Sequence, residues 1–359
     1  MDNKGLLFIP DISGFTRFIH QSEIEHSRAI IQELLEILVN ANQIGLEISE
    51  IEGDAILFYK YGDPPALEEV YRQVERMFCS FHSHLLAYDH RRICQCKACV
   101  SAIDLSLKIV THYGEFTGYN VAHFNKLIGK DVIVAHQLLK NDIPKHEYWL
   151  VTQNFLQDKT PGRITDWMEW MNSTRQTESG QIPFHFTQLS ELRNNLQPEP
   201  LPPLGIDDKV KMISVTKEYN TDIKHLFYTA IHFEFRHLWL YQVKGIEEVS
   251  HALPGIGTRH RCILEKGQEI VYSSSFSYQP DQKIEYSETN DKKEYSIFYI
   301  FEKTGEHKSR LTLDFYIKKN WLSQTLFAVT SKKKMEVGLN QSLLKLDTLL
   351  KEIQVPAEF

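Results

Sequence analysis

The sequence predicts an α+β protein of two domains, on three observations. At 359 residues the chain is longer than a single hydrophobic core usually supports. Strands and helices alternate through its first half, whereas closely spaced strands closed by one long helix fill the second. Between them the stretch Asn194 to Asp208, NNLQPEPLPPLGIDD, carries four prolines and a glycine that interrupt every periodic pattern. The expected division is a first domain over 1–193, an extended linker over 194–208 and a second domain over 209–359.

The first domain opens with an apolar strand, Leu6 to Pro10, followed by a helix from about Ser22 to Asn42 with Ile24, Ile31, Leu34, Leu35 and Leu38 on one face. A hairpin follows, with arms at Leu46–Ile51 and Ala55–Tyr59 around the turn Gly53-Asp54. A second helix, about Pro65 to Ala87, repeats Val70, Val74, Met77, Phe78, Phe81 and Leu85 at helical spacing. A strand at Ser106–His112 and a helix from Gly129 to Lys140 complete the legible part, and Trp149 to Arg193 shows no clear period. After the linker, strands are expected near 210–217, 241–249, 258–264, 269–277, 283–289, 293–302 and 309–318. A terminal helix, Lys332 to Ile353, carries the stripe Met335, Leu339, Leu343, Leu346, Leu350 and Ile353.

Composition narrows the function classes. With 42% hydrophobic residues both domains can bury a core. The formal charge of -7, with no Lys/Arg run longer than Lys332 to Lys334, gives no electrostatic footprint for nucleic acid and argues against an anionic membrane surface. The apolar N-terminal segment Leu6–Ile9 is too short for a signal core or a membrane span, so a cytoplasmic location is expected.

Two carboxylates stand where metal chemistry would need them. Asp11, in Phe8-Ile-Pro-Asp-Ile-Ser-Gly-Phe-Thr16, ends a buried strand, and Asp54 sits at the tip of the hairpin. If those strands are neighbours the two meet, and paired carboxylates suit Mg²⁺ or Mn²⁺ ions that grip a triphosphate. Taken singly, Asp11 reads as a cap and Gly53-Asp54 as an ordinary turn.

These segments resemble the class III adenylyl and guanylyl cyclase domain, whose hallmark is an Asp-Ile-x-Gly-Phe-Thr strand end followed by a Gly-Asp hairpin. Val110-Thr-His-Tyr-Gly114 is similar to that family's Gly-Ile-His-x-Gly strand, and Ile128-Gly129 to its Trp-Gly segment. The resemblance covers about residues 4–193, and the whole domain resembles a bacterial family of unknown function in the same superfamily. It implies a ferredoxin-like nucleotidyl-cyclase-type fold, a Mg or Mn site at Asp11 and Asp54, nucleotide as ligand, and sites formed between two chains of a homodimer or heterodimer.

The departures imply degeneracy. Alignment on Gly129 puts Ile133 and Gln137 where the family carries an Asn for the ribose and an Arg for the reacting phosphates. Losing the cationic donor alone costs on the order of a thousandfold in such chemistry. Glu50 and Lys126 fall at the two base-recognition places. Glu50 is similar to guanylyl cyclases and Lys126 is not the usual residue, so no base is named, and both also read as surface charges.

Cys94-Gln-Cys96-Lys-Ala-Cys99 places three thiols within six residues, with His90 upstream and Cys79, His82 and His84 on the preceding helix. Zn²⁺ held by Cys94, Cys96, Cys99 and His90 is one expectation, with the fourth ligand open. Packed thiols or a redox pair are the others.

The second domain's order of elements resembles the START-like superfamily, also called the polyketide cyclase and dehydrase-like group, over about 209–355. Trp239 and Pro254-Gly-Ile-Gly-Thr258 support it. The resemblance implies a helix-grip fold, a curved antiparallel sheet around the terminal helix, with an apolar cavity for a hydrophobic small molecule. Dense aromatics fit a cavity or an ordinary core. His232, Arg236, Arg259, His260 and Arg261 are candidate polar contacts, and no nucleophile–base arrangement is legible. The expected function is a sensor or regulatory protein with little or no catalysis. The alternatives are a divergent metal-dependent cyclase, or a START-like enzyme acting on a small aromatic substrate and betrayed by a buried polar pair in its cavity.

Overall fold

The apolar run that opens the chain becomes β1 (Lys4–Ser13), an interior strand of a seven-stranded sheet. Leu6, Leu7, Phe8 and Ile9 are all buried, which is why the run is continuous rather than alternating. The computed structural model describes residues 3–21, 24–122, 124–198, 200–201, 206–249 and 255–355. They fall into two units, one of residues 1–90 and 97–199, the other of 91–96 and 200–359. Ser22, Pro254 and part of the proline-rich stretch lie outside the described residues.

In the first unit β1 is followed by α1 (Phe15–Gln21), α2 (Ile24–Asn40), β2 (Glu47–Glu52), β3 (Ala55–Tyr61), α3 (Leu67–Arg91), α4 (Lys97–Ser101) and β4 (Ser106–Glu115). β1 pairs antiparallel with β3 and with β4, and the sheet runs β2-β3-β1-β4, the spatial order of a βαββαβ unit. α3 runs to Arg91 rather than Ala87. Its polar last turn lies beyond the apolar stripe that marks it in the sequence.

β5 (Thr117–Val121) and β6 (Phe124–Ile128) form a separate hairpin before α5 (Lys130–Leu138). The stretch without a legible period holds β7 (Tyr148–Thr152), α6 (Gln153–Leu156), β8 (Met171–Thr177), β9 (Gly180–Gln188) and α7 (Ser190–Asn194). β7 extends the sheet parallel to β4, and β9 and β8 follow as its far edge. Leu7 and Ile9 of β1 pack with Val110, Leu150 and the inner face of α5, Val134 and Leu138.

The second unit consists of β10 (Lys209–Tyr219), α8 (Ile223–Ile231), α9 (Phe233–Trp239), β11 (Val243–Glu248), β12 (Arg259–Leu264), β13 (Gln268–Gln279), β14 (Lys283–Asn290), β15 (Tyr295–Gly305), β16 (Lys308–Lys318), α10 (Trp321–Thr330) and α11 (Lys332–Leu349). Its seven strands form one antiparallel sheet, β10-β16-β15-β14-β13-β12-β11. Leu339, Leu343 and Leu346 of α11 share a core with Trp239, Tyr286, Tyr299, Phe301 and Leu313. Gly338 allows this approach, because a Cβ there would lie 2.3 Å from the Tyr241 ring. The sequence pattern misses α10, which is capped by the Asn320 side chain accepting from the Leu322 N–H and broken from α11 at Ser331.

Candidate functional site

A cavity of about 730 Å³ in the first unit is lined by Asp11, Glu50, Glu52, Asp54 and Lys108, with Arg17, Ile133, His136, Gln137, Lys140 and His146 around them. Strand pairing builds it. In register, Asp11 faces Ala55 on β3 and Lys108 on β4. Gly53 takes the left-handed conformation of the hairpin turn, at φ 60°, and the Asp54 carbonyl accepts from the Ile12 N–H at 3.1 Å. The two aspartates are thus held side by side. Burial, and then the Asp11 charge, pushes Asp54 up to about 6. Burial raises Asp11 as well, against the pull of Lys108, whose Nζ lies 3.3 Å from Oδ1 and also donates to the Leu139 carbonyl at 3.3 Å.

Such hard oxygen donors fit a magnesium or manganese ion. Asp54 forms no ion pair among the described residues and is repelled by Asp11, a cost that a divalent cation between them would relieve. Ile133 and Gln137 line the same cavity from α5, without positive charge. Arg17 and Lys140 supply it instead. Gln137 Oε1 is buried with no hydrogen-bond partner among the described residues.

Glu50 and Lys126 are brought together, but onto each other. The Lys126 ammonium donates to the Glu50 carboxylate, and His136 Nε2 lies 3.6 Å from its other oxygen. That hydrogen bond raises Lys126.

Asp131 joins this region without a local signal in the sequence. Its Oδ1 lies 3.2 Å from His112 Nε2, its Oδ2 accepts from the Glu115 N–H at 2.7 Å, and His112 Nδ1 contacts Thr152 Oγ1 at 2.9 Å. Burial opposes the charge on Asp131, but these hydrogen bonds prevail and hold it below the usual carboxylate range. The segment Val110-Thr-His-Tyr-Gly114 therefore ties β4 to α5. Gly114 has no room for a side chain, since a Cβ would fall 2.2 Å from Asp131 Cγ.

The thiols gather with a different imidazole from the expected one. His26, Cys94, Cys96 and Cys99 offer one donor atom each within 4.8 Å of one another, and Cys99 Sγ lies 3.3 Å from His26 Nδ1. His90 is exposed on α3 and is not in the group. A three-thiol, one-imidazole set can bind a metal ion.

In the second unit a cavity of about 760 Å³ between the sheet and α10–α11 is lined by apolar side chains, among them Phe315, Phe327, Met335 and Leu339. Arg236, Glu288 and Tyr299 also reach it, and Glu269, Lys292, Glu294 and Lys318 add charged groups to its lining. Arg236 grips Glu288 through both terminal nitrogens, one at 2.5 Å, and donates to Tyr299 Oη at 2.9 Å. Tyr286 donates to Glu288 at 2.7 Å, Tyr299 at 3.2 Å, and His260 Nε2 lies 3.2 Å away, off hydrogen-bond alignment. Burial disfavours the Glu288 charge, yet Arg236 and His260 hold it well below the ordinary range. The other candidates stand apart: Arg259 pairs with Asp291 and Arg261 with Glu247, while His232 precedes α9. Glu288 itself was missed, although Ile284, Tyr286, Glu288 and Asn290 share the buried face of β14.

Residues 31–148 match the model of a family described as a protein of unknown function, DUF2652. Over 129 residues the chain is 31% identical to the uncharacterized protein Rv2561/Rv2562 of Mycobacterium tuberculosis (strain ATCC 25618 / H37Rv), which covers 33% of this chain and 56% of that protein. The chain thus spans little more than half the relative's length. Among solved structures, the catalytic core of a rhodopsin-guanylyl cyclase with converted specificity in complex with ATPαS is similar at 16% identity and a TM-score of 0.37, over 52% of this chain and 96% of that one. The guanylate cyclase domain of RhGC from Catenaria anguillulae, in complex with GTP, gives 14% and 0.36 over 52% and 97%. A bacterial light-regulated adenylyl cyclase gives 15% and 0.37 over 53% and 95%. Among the described residues no helix is long and apolar enough to cross a membrane.

Proposed function

We propose that the first unit is a nucleotidyl-cyclase-like module that binds a nucleoside triphosphate with Mg²⁺ or Mn²⁺ at Asp11 and Asp54 and turns it over little or not at all. The observation that carries this reading is one cavity that joins the two aspartates to Ile133 and Gln137. A bound divalent ion would neutralise phosphate charge. Arg17 and Lys140 then attract the phosphates electrostatically, and Glu50, once parted from Lys126, offers an acceptor to a base edge. Dimerisation, with itself or a related chain, belongs to the same reading.

A second reading is a divergent cyclase in which Arg17 and Lys140 replace the missing Arg, favoured by their place in this cavity. Both are tested by titrating the protein with Mn²⁺ and ATP or GTP and assaying cyclic nucleotide by mass spectrometry, with Asp11→Asn and Asp54→Asn as controls. The expected result is binding without product, weakened about tenfold or more in each variant. Because Asp54 must lose its proton to meet the metal, affinity falls about tenfold per unit below pH 6. Product that vanishes in Asp11→Asn supports the second reading, and absence of nucleotide binding removes both.

The second unit we read as a START-like domain holding a hydrophobic small molecule against the apolar part of its cavity, Phe315, Phe327, Met335 and Leu339. Its buried polar pair supports binding rather than catalysis, because Glu288 is saturated by Arg236, Tyr286 and Tyr299 and has no free position to act as a base. The thiol–imidazole group we assign to structural zinc. Native mass spectrometry and elemental analysis of the full chain read both assignments. One zinc, lost in His26→Ala or Cys99→Ser, and a retained apolar mass are expected; a metal-free, ligand-free protein rejects them.

A further inference from the structure

The helix α10 shows its apolar face to solvent. Leu322, Leu326 and Val329, at i, i+4 and i+7, form one stripe, with Trp321 beside it at the first turn. Trp321 is 75% exposed and Val329 81%. The opposite side of the helix is anchored through Phe327, whose ring stacks on Phe315 at 5.6 Å. A stripe of this kind on one ten-residue helix is more than scattered surface hydrophobicity.

The charge around it is as one-sided as its apolarity. From Lys318 to Lys334 the chain carries five lysines and no carboxylate, in a protein whose formal charge is -7. Lys318 and Lys319 precede the helix and Lys332, Lys333 and Lys334 follow it. None of the three that follow forms an ion pair among the described residues.

We propose that α10 is a membrane-docking helix that lies in the interface of an anionic lipid bilayer, with Trp321, Leu322, Leu326 and Val329 inserted and the flanking lysines on the headgroups. Apolar side chains on one face with basic residues at both ends are what interfacial binding requires, and Trp favours the headgroup level. The charges also decide between occupants. A second copy of the same face would set five lysines against five, whereas anionic lipid is complementary to them. The net charge of -7, which by itself argues against an anionic surface, averages away this local excess. Docking does not depend on what the cavity behind Phe327 holds.

The test is co-sedimentation of the full chain with phosphatidylcholine vesicles, with and without roughly a third phosphatidylglycerol. Binding is expected only to the anionic vesicles and weaker in high salt. Lys332→Glu/Lys333→Glu/Lys334→Glu lowers the partition coefficient about tenfold or more. Leu322→Ser/Leu326→Ser/Val329→Ser abolishes binding, while the unfolding transition of both variants stays in place because every substituted side chain is at least partly exposed. Failure to bind anionic vesicles overturns the proposal, as does binding that neither variant changes. A dimer in sedimentation equilibrium that Leu326→Ser dissociates, without vesicle binding, assigns the face to self-association and overturns it too.

Discussion

Glu288→Ala is expected to destabilise the second unit by about 3–5 kcal/mol. Arg236 is 1% exposed and Glu288 4%. Taking away the carboxylate leaves a guanidinium that cannot shed its charge, with Tyr299 Oη as its remaining hydrogen-bond acceptor. The cost is that of the stranded charge more than of a lost contact. Arg236→Met combined with Glu288→Leu should therefore recover part of the stability, since an apolar pair of similar bulk needs no partner, while the buried Tyr299 hydroxyl loses both of its own. Hydrogen exchange of β14 and α9 amides in the full chain reads the second unit separately. A double variant as unstable as the single one would show that packing, not charge, is at stake.

Gly114→Ala should cost the first unit about 3 kcal/mol, through overpacking and a broken buried hydrogen-bond set. The added methyl would meet Asp131 Cγ at 2.2 Å and Oδ2 at 2.4 Å, so the carboxylate must leave His112 and the Glu115 N–H. The strand edge against α5 then loses its tie, and Ile133 and Gln137 move with the helix. A melting curve gives the size of the loss. Adding Asp131→Ala makes room for the methyl but leaves His112 unpaired on that side, so only part of the loss returns. An unchanged melting temperature in Gly114→Ala would mean that Asp131 finds another seat at no cost.

Features that announce themselves over a few residues were legible in the sequence. Asp11 and Asp54 each adjoin a turn signal, and the chain needs only the β1–β3 pairing to bring them together. Glu50 and Lys126 were legible as residues at two meaningful places, whereas their pairing with each other was not, because it depends on where the β5–β6 hairpin folds. His26 stands 73 residues from Cys99, and nothing local marks it above His90, which lies beside the thiols in sequence but points to solvent. Glu288 was hidden for a different reason. A carboxylate in an alternating strand is ordinarily on the wet face, and only the distant Arg236 makes the dry one tenable. The edge strand β8 carries few apolar residues, so no period betrays it.

Lys108 gives the proposed nucleotide site an order of filling. With its ammonium on Asp11, the three groups Asp11, Asp54 and Lys108 carry one net negative charge when both aspartates are ionised, too little to retain a bare divalent ion against its hydration shell. Once such an ion enters, the balance turns positive, and Arg17 and Lys140 deepen it. Metal alone meets only a weak well and triphosphate alone meets the two aspartates, whereas their chelate meets charges of both signs. On the proposed reading the cavity would work as a coincidence gate, weak toward free cation and responsive to the metal–nucleotide complex.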